Sequence, residues 1–242
     1  MSEYPQKTVL ESLQAGELSI EGQFMWGSNY TFLLDVIYGD TEFKGVYKPT
    51  RGERPLWDFP EESLAGREVA AYLVSEALDL HLVPPTVYRQ EGPSGPGSLQ
   101  LFVDHDPEYH YFNLSVEDKQ RLRPAAFFDI LINNTDRKGG HILFDQQNRI
   151  WLIDHGITFH VHHKLRTVIW DFAGEPLPDE LCEKLTPFRR QLEPDTELHQ
   201  QLSQYLSRRE IYALAMRTEE LRNNPHYPYP RDNMRSYPWP PV

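Results

Sequence analysis

Apolar positions set the outline of this chain. A short amphipathic pattern over residues 8–15 predicts a helix, and alternation then takes over in three strand-like runs at 18–24, 30–38 and 43–48. Gly39-Asp40-Thr41-Glu42 between the last two is a hairpin signal, so the runs form an antiparallel meander. Over residues 64–80 the apolar positions Val69, Ala70, Leu73, Val74, Ala77 and Leu78 return to helical spacing, and His81-Leu82-Val83-Pro84-Pro85 stops that helix. Two further strands are predicted at 86–89 and 98–103, around a Gly/Pro-rich turn. Asp104-His105-Asp106-Pro107 then breaks the pattern and reads as a linker.

Beyond the linker the period is mainly helical. Ser115-Val116-Glu117-Asp118 resembles a capping box and predicts one helix running to residue 132. A polar loop follows, then two short strands at 141–144 and 150–154, then a loop over 155–174. Further helices are predicted at 178–185, 195–206 and 207–222. Residues 224–242 hold six Pro, three Tyr and one Trp, which excludes a helix. Such a tail docks along the body or stays extended as a contact site for a protein partner. The pattern predicts an α+β chain of two lobes: a sheet-and-helix lobe over 1–104, a mainly helical lobe over 105–223, and the tail over 224–242.

Composition narrows the function classes. The chain has 242 residues, 39% hydrophobic and 25% charged, with a formal net charge of −12. That charge argues against a nucleic-acid partner and against adsorption to an anionic membrane. No apolar run is long enough for stable membrane insertion. Cys182 is the single cysteine, which excludes an internal disulfide and a cysteine-based zinc site and favours a cytoplasmic setting.

The chemistry concentrates in Asn133-Asn134-Thr135-Asp136-Arg137-Lys138-Gly139-Gly140-His141 and in Ile153-Asp154-His155-Gly156. Two acids, each in a loop beside a strand, suit phosphoryl transfer: Asp136 to act on an attacking hydroxyl, Asp154 to hold a metal against ATP phosphates. Asp also sits in turns for purely local reasons, so the rest of the chain decides. Lys48 ends a strand, and Glu68 lies early in the following helix, placed to reach back to it. The expectation is a Lys48–Glu68 ion pair facing the cleft. Met25-Trp26-Gly27-Ser28-Asn29 is either a plain hairpin turn or a turn presenting backbone N–H groups and the Ser28 hydroxyl to phosphate. His160, His162 and His163 invite a zinc reading, but their spacing matches no common zinc signature and a polar loop accounts for them equally.

Seven blocks, in order, resemble the phosphatidylinositol 3- and 4-kinase superfamily, most closely the type II phosphatidylinositol 4-kinases and their bacterial relatives. They are Gly27-Ser28-Asn29-Tyr30-Thr31-Phe32, Val46-Tyr47-Lys48-Pro49, Arg67-Glu68-Val69-Ala70-Ala71-Tyr72, Val83-Pro84-Pro85-Thr86, Gly97-Ser98-Leu99-Gln100-Leu101-Phe102-Val103, Asn134-Thr135-Asp136-Arg137 and Ile153-Asp154-His155-Gly156. The resemblance implies a two-lobed protein-kinase-like fold that binds ATP with magnesium or manganese. It implies Ser28, Asn29 and Lys48 at the phosphates, Phe102 and Val103 at the adenine, and Glu68 holding Lys48. Asp136 would be the catalytic carboxylate and Asp154 a metal ligand.

The chain departs from the family pattern at His141, which stands where a metal-binding Asn is expected. Imidazole suits manganese or zinc better than magnesium. The stretch after Asp154 offers only Lys164 and Arg166 as cations, which disfavours a lipid headgroup. The expected activity is therefore phosphoryl transfer to a hydroxyl on a protein or small molecule whose identity the sequence does not reveal. The alternatives are a nucleotide-binding pseudokinase with a regulatory or scaffolding role, and transfer of AMP.

Overall fold

The computed structural model describes residues 4–23 and 30–242. The first lobe is a five-stranded antiparallel sheet in the order β1-β2-β3-β5-β4, with two helices against it. Its strands are β1 (Glu17–Gln23), β2 (Phe32–Tyr38), β3 (Thr41–Pro49), β4 (Thr86–Arg89) and β5 (Gly97–Leu101). Helix α1 (Gln6–Ala15) contacts β2, β4 and β5, and α2 (Leu64–Ala77) packs on β4 and β5. Leu34, Val36, Tyr47 and Leu99 are fully buried, and with Val9 and Leu13 of α1 they form a small core of their own. Alternation along β2 and β3 puts these residues on one face, as the period of two requires.

The second lobe holds the larger core. Helices α3 (Val116–Gln120) and α4 (Arg123–Ile132) lead into the polar loop, and β6 (Ile142–Phe144) pairs antiparallel with β7 (Ile150–Leu152). Helices α5 (Asp179–Gln191), α6 (Glu197–Leu202) and α7 (Arg208–Asn223) complete it. Phe127, Phe128, Leu131, Phe159, Phe188 and Leu214 are fully buried here, and Ala70, Ala71 and Val74 of α2 belong to the same cluster. Helix α2 thus gives its apolar residues to the core of the second lobe while it also packs on β4 and β5 of the sheet. This explains its continuous burial from Leu64 to Tyr72, which exceeds that of a one-sided amphipathic helix.

Several boundaries differ from the sequence expectation, for local reasons. The helix expected over 115–132 is two helices. Pro124 has no N–H to donate and sits in the first turn of α4, where no intrahelical N–H bond is needed, so α4 starts anew at Arg123. Ser115 does cap α3, accepting from the Asp118 N–H at 3.0 Å. Helix α5 runs on to Gln191, well past residue 185, with Pro187 inside it. Helix α6 is shorter than the 195–206 expected.

The tail docks on the second lobe. Tyr227 is buried, its backbone exchanges hydrogen bonds with Gly174 and Glu175, and the Ser236 carbonyl accepts from Thr167 N–H and Trp170 Nε1–H. At its end, the Pro241 carbonyl accepts from Gly139 N–H at 2.8 Å. Tyr229 and Trp239 remain exposed along it. No helix among the described residues is long and apolar enough to cross a membrane.

Candidate active site

Strand β3 is held between β2 and β5, which fixes Lys48 opposite Ser98. Its ammonium lies 2.5 Å from Glu68 Oε1 on α2 and 3.0 Å from Asp154 Oδ1. Burial opposes the Lys48 charge, but Asp154 and Glu68 outweigh it and raise its pKa above the ordinary lysine value. The second oxygen of Glu68 accepts the His155 N–H at 2.8 Å. One buried carboxylate thus ties the strand lysine to the loop carrying Asp154. Gly156 lets α2 come this close. A Cβ there would stand 3.3 Å from Leu64 Cβ and 3.7 Å from Glu68 Oε1.

The loop after α4 is built from side chain to backbone. Asn133 takes the left-handed conformation (φ 53°) that ends the helix. Its amide donates to the His160 and His162 carbonyls and accepts from Lys164 N–H. Asn134 Oδ1 accepts from Asp136 N–H at 2.9 Å, fixing the turn that carries Asp136. Arg137 is wholly buried and joins the elements around it. It pairs with Asp129 of α4 at 3.1 Å and donates to the Ile153 carbonyl at 2.8 Å and the His141 carbonyl at 3.2 Å. Its Nη2 also meets His155 Nε2 at 2.8 Å. Burial, then the Arg137 and Lys48 cations, keep His155 neutral, which suits it to accept that bond. Through Arg137 the loops of Asp136 and Asp154 share one rigid support.

The two acids differ sharply. Asp136 has Lys138 Nζ at 3.3 Å. Burial, with help from the Asp154 charge, overrides Lys138 and pushes its pKa up to about 6. Burial works the same way on Asp154, but Lys48 and then His141 outweigh it and hold Asp154 well below the usual carboxylate range. Asp154 also takes a left-handed backbone (φ 60°), which Asp tolerates better than most residues, as Asp79 and Asp195 do elsewhere in the chain.

His141 Nε2 lies 3.3 Å from Asp154 Oδ2, and among the described residues its buried Nδ1 has no hydrogen-bond partner. Burial, over the opposing pull of Asp154, lowers its pKa to about 4, so the ring is neutral at physiological pH. A carboxylate and a neutral imidazole side by side fit one divalent ion of the manganese kind, with phosphate oxygens and water completing its shell. Among the described residues no three His, Cys, Asp or Glu side chains form a ready-made metal cluster. His160 stacks edge-on against Phe59, and burial lowers the His163 pKa to about 4, which fits the polar-loop reading of that histidine run.

Of the other expected contacts, Ser28 and Asn29 lie outside the described residues. The Phe102 N–H is used by the Lys44 carbonyl at 2.9 Å, and the Val103 carbonyl meets His105 Nδ1 at 2.8 Å. The segment therefore keeps only part of its backbone for an adenine. A cavity of about 620 Å³ lies between α1, the end of α2 and β7, and neither Lys48 nor any of the three site acids lines it. Sequence reasoning gave no role to Arg137, Asp129 or His155. The visible signal was Arg137 itself, a cation directly after the loop acid.

No family model matches the chain. Protein Rv2133c of Mycobacterium tuberculosis is 40% identical over 263 aligned positions, covering 94% of this chain and 93% of that protein. Among solved structures, the Golgi casein kinase with Mn/ADP bound superposes with a TM-score of 0.58 at 15% identity, covering 90% of this chain and 74% of that one. Hydra Fam20 with sugar gives 0.56 at 14% identity, covering 90% and 87%. The Helicobacter pylori proinflammatory kinase CtkA gives 0.54 at 11% identity, covering 89% and 94%. The chain therefore has a two-lobed kinase-like fold.

Proposed function

The chain belongs to the family of Mycobacterium tuberculosis Protein Rv2133c, and from its site we propose that it is an ATP-dependent phosphotransferase acting on a hydroxyl of a protein or small molecule. The observation that carries this reading is the placement of Lys48 between Glu68 and Asp154, at 2.5 and 3.0 Å, with Asp136 in the neighbouring loop. A scaffold has no physical need for a lysine suspended between two acids. Phosphoryl transfer does, because its catalysis is mostly positioning and electrostatics around the phosphates.

In this reading Lys48 neutralises phosphate charge, and Glu68 keeps it from collapsing onto Asp154 alone. Asp154, ionised throughout the physiological range, and His141, neutral there, would hold the divalent ion that accompanies ATP. That ion supplies charge neutralisation at the transferred group when bound. Asp136 accepts the proton of the acceptor hydroxyl, and its pKa of about 6 suits a base working near neutrality. Lys138, beside it, offers a second cation on the acceptor side. The sequence blocks relate the chain to phosphatidylinositol 3-/4-kinase-like enzymes, while its charge of −12 speaks for a non-lipid acceptor and its single cysteine for a cytoplasmic setting.

His141 in place of an amide favours a second reading, a pseudokinase that binds nucleotide and transfers nothing. The test is incubation with ATP and magnesium or manganese, followed by mass spectrometry of the protein and of added acceptors. An added phosphate that disappears in Asp154→Ala supports the proposal. An added AMP means nucleotidyl transfer through the same site. Nucleotide binding without any added mass selects the pseudokinase.

A further inference from the structure

Glu68 has a neighbour on α2 that faces the other way. Arg67 is 1% exposed and crosses to the second lobe, where its Nη2 lies 2.5 Å from Glu210 Oε1 on α7. Its Nη1 donates to the Thr158 carbonyl at 2.6 Å, its Nε to Ser63 Oγ at 3.3 Å, and its guanidinium lies 4.8 Å from the centre of the Phe59 ring. Glu210 is fully engaged as well. Its other oxygen closes the capping box of α7, accepting Ser207 N–H at 2.8 Å and Ser207 Oγ–H at 2.7 Å. Burial opposes the Glu210 charge, but Arg67 and Ser207 lower its pKa regardless.

We infer that Arg67 and Glu210 are positioning residues: they clamp α2 to α7 so that Glu68 stays on Lys48 before any ligand or partner arrives. Consecutive residues of one helix are about 100° apart, so α2 is fixed in rotation by contacts in two directions. Turning α2 to withdraw Glu68 would strip a buried guanidinium of its partners and leave a buried carboxylate uncompensated. In kinases generally the placement of this helix is a point of control. Here α7, capped by Ser207 and gripped by Arg67, holds it permanently in the engaged position. The catalytic consequence rests on the phosphotransferase reading; the clamp itself does not.

The test compares Arg67→Met, Arg67→Lys and the double variant Arg67→Met/Glu210→Gln, by thermal melting, hydrogen exchange of α2 and ATP turnover. The double variant removes both charges of the buried pair together, and the glutamine amide oxygen can still accept from Ser207 and close the capping box of α7. The inference expects it to melt near the wild type, while α2 amides exchange about 10-fold faster and turnover falls about 10-fold or more. Arg67→Lys, which keeps the charge but not the fork, falls in between. A double variant that melts normally with wild-type α2 protection and turnover overturns the clamp. So does an Arg67→Met variant that loosens the whole chain evenly rather than α2 first. A wild type that turns over no ATP would refute the phosphotransferase reading, and α2 exchange would still judge the clamp.

Discussion

Asp136 and Asp154 stand at one cleft, 18 positions apart in the chain, and the fold drives them in opposite directions. Both lose water. Asp154 is compensated by Lys48 at 3.0 Å and stays ionised, whereas Asp136 has Lys138 at 3.3 Å and a weaker pull from Arg166, and feels the negative charge of Asp154 as well. In the proposed reaction Asp154 is the fixed anion for a metal and Asp136, with a pKa of about 6, the base. The lesson is that acid chemistry here is assigned by the cations each loop meets, and those are set by strand β3 for Asp154 and by the loop's own sequence for Asp136.

The comparison breaks most completely at Asp154. Asp154→Ala should reduce ATP turnover on the order of 10³-fold, since it removes an anion placed for the nucleotide's metal; steady-state turnover in manganese checks this.

Asp136→Asn should lower transfer by about 10²–10⁴-fold with ATP affinity kept. The wild-type rate should fall as pH drops through about 6, where Asp136 takes up its proton, and the residual rate of the variant should lack that limb. Stability should move the other way. Because the folded pKa of Asp136 is raised, the stability it contributes is full below the ordinary carboxylate value and lost as pH rises through about 6. Asp136→Asn should therefore be more stable than wild type at pH 8, by on the order of 1–2 kcal/mol, and equal to it near pH 4. Denaturant melts at the two pH values measure this.

Arg137 supports both loops, so Arg137→Met blurs the contrast through the fold. It leaves the buried Asp129 charge without its cation, held by the Asn134 amide and the Thr167 hydroxyl, which should destabilise the chain by about 3–5 kcal/mol in denaturant unfolding. The smallest effect is expected at His141. His141→Asn exchanges an imidazole for an amide oxygen and should shift the preference from manganese toward magnesium several-fold in paired turnover assays, with little change in stability.

Much of this was legible in the sequence. The meander, the helix carrying Glu68 and the two acid loops follow from periodicity and turn residues, and Lys48 was expected to meet Glu68. The less legible parts depend on contacts between distant segments. Arg137 reads as an ordinary loop cation until α4 brings Asp129 beneath it. The break before α4 turned on Pro124, whose place in a first turn rather than a helix interior is decided by packing. His155 follows a metal-type acid in sequence, yet its role comes from Glu68, which grips its backbone, and Arg137, which grips its ring. Tail docking depends on single backbone carbonyls, such as Pro241 on Gly139, which composition does not encode.

The most direct test of the division between the two acids is to measure ATP–manganese binding and phosphoryl transfer side by side in wild type, Asp136→Asn and Asp154→Ala. The account predicts that Asp136→Asn binds like wild type and transfers at least about 10²-fold more slowly, while Asp154→Ala loses both. Wild-type transfer by Asp136→Asn, or undiminished binding and transfer by Asp154→Ala, would contradict it.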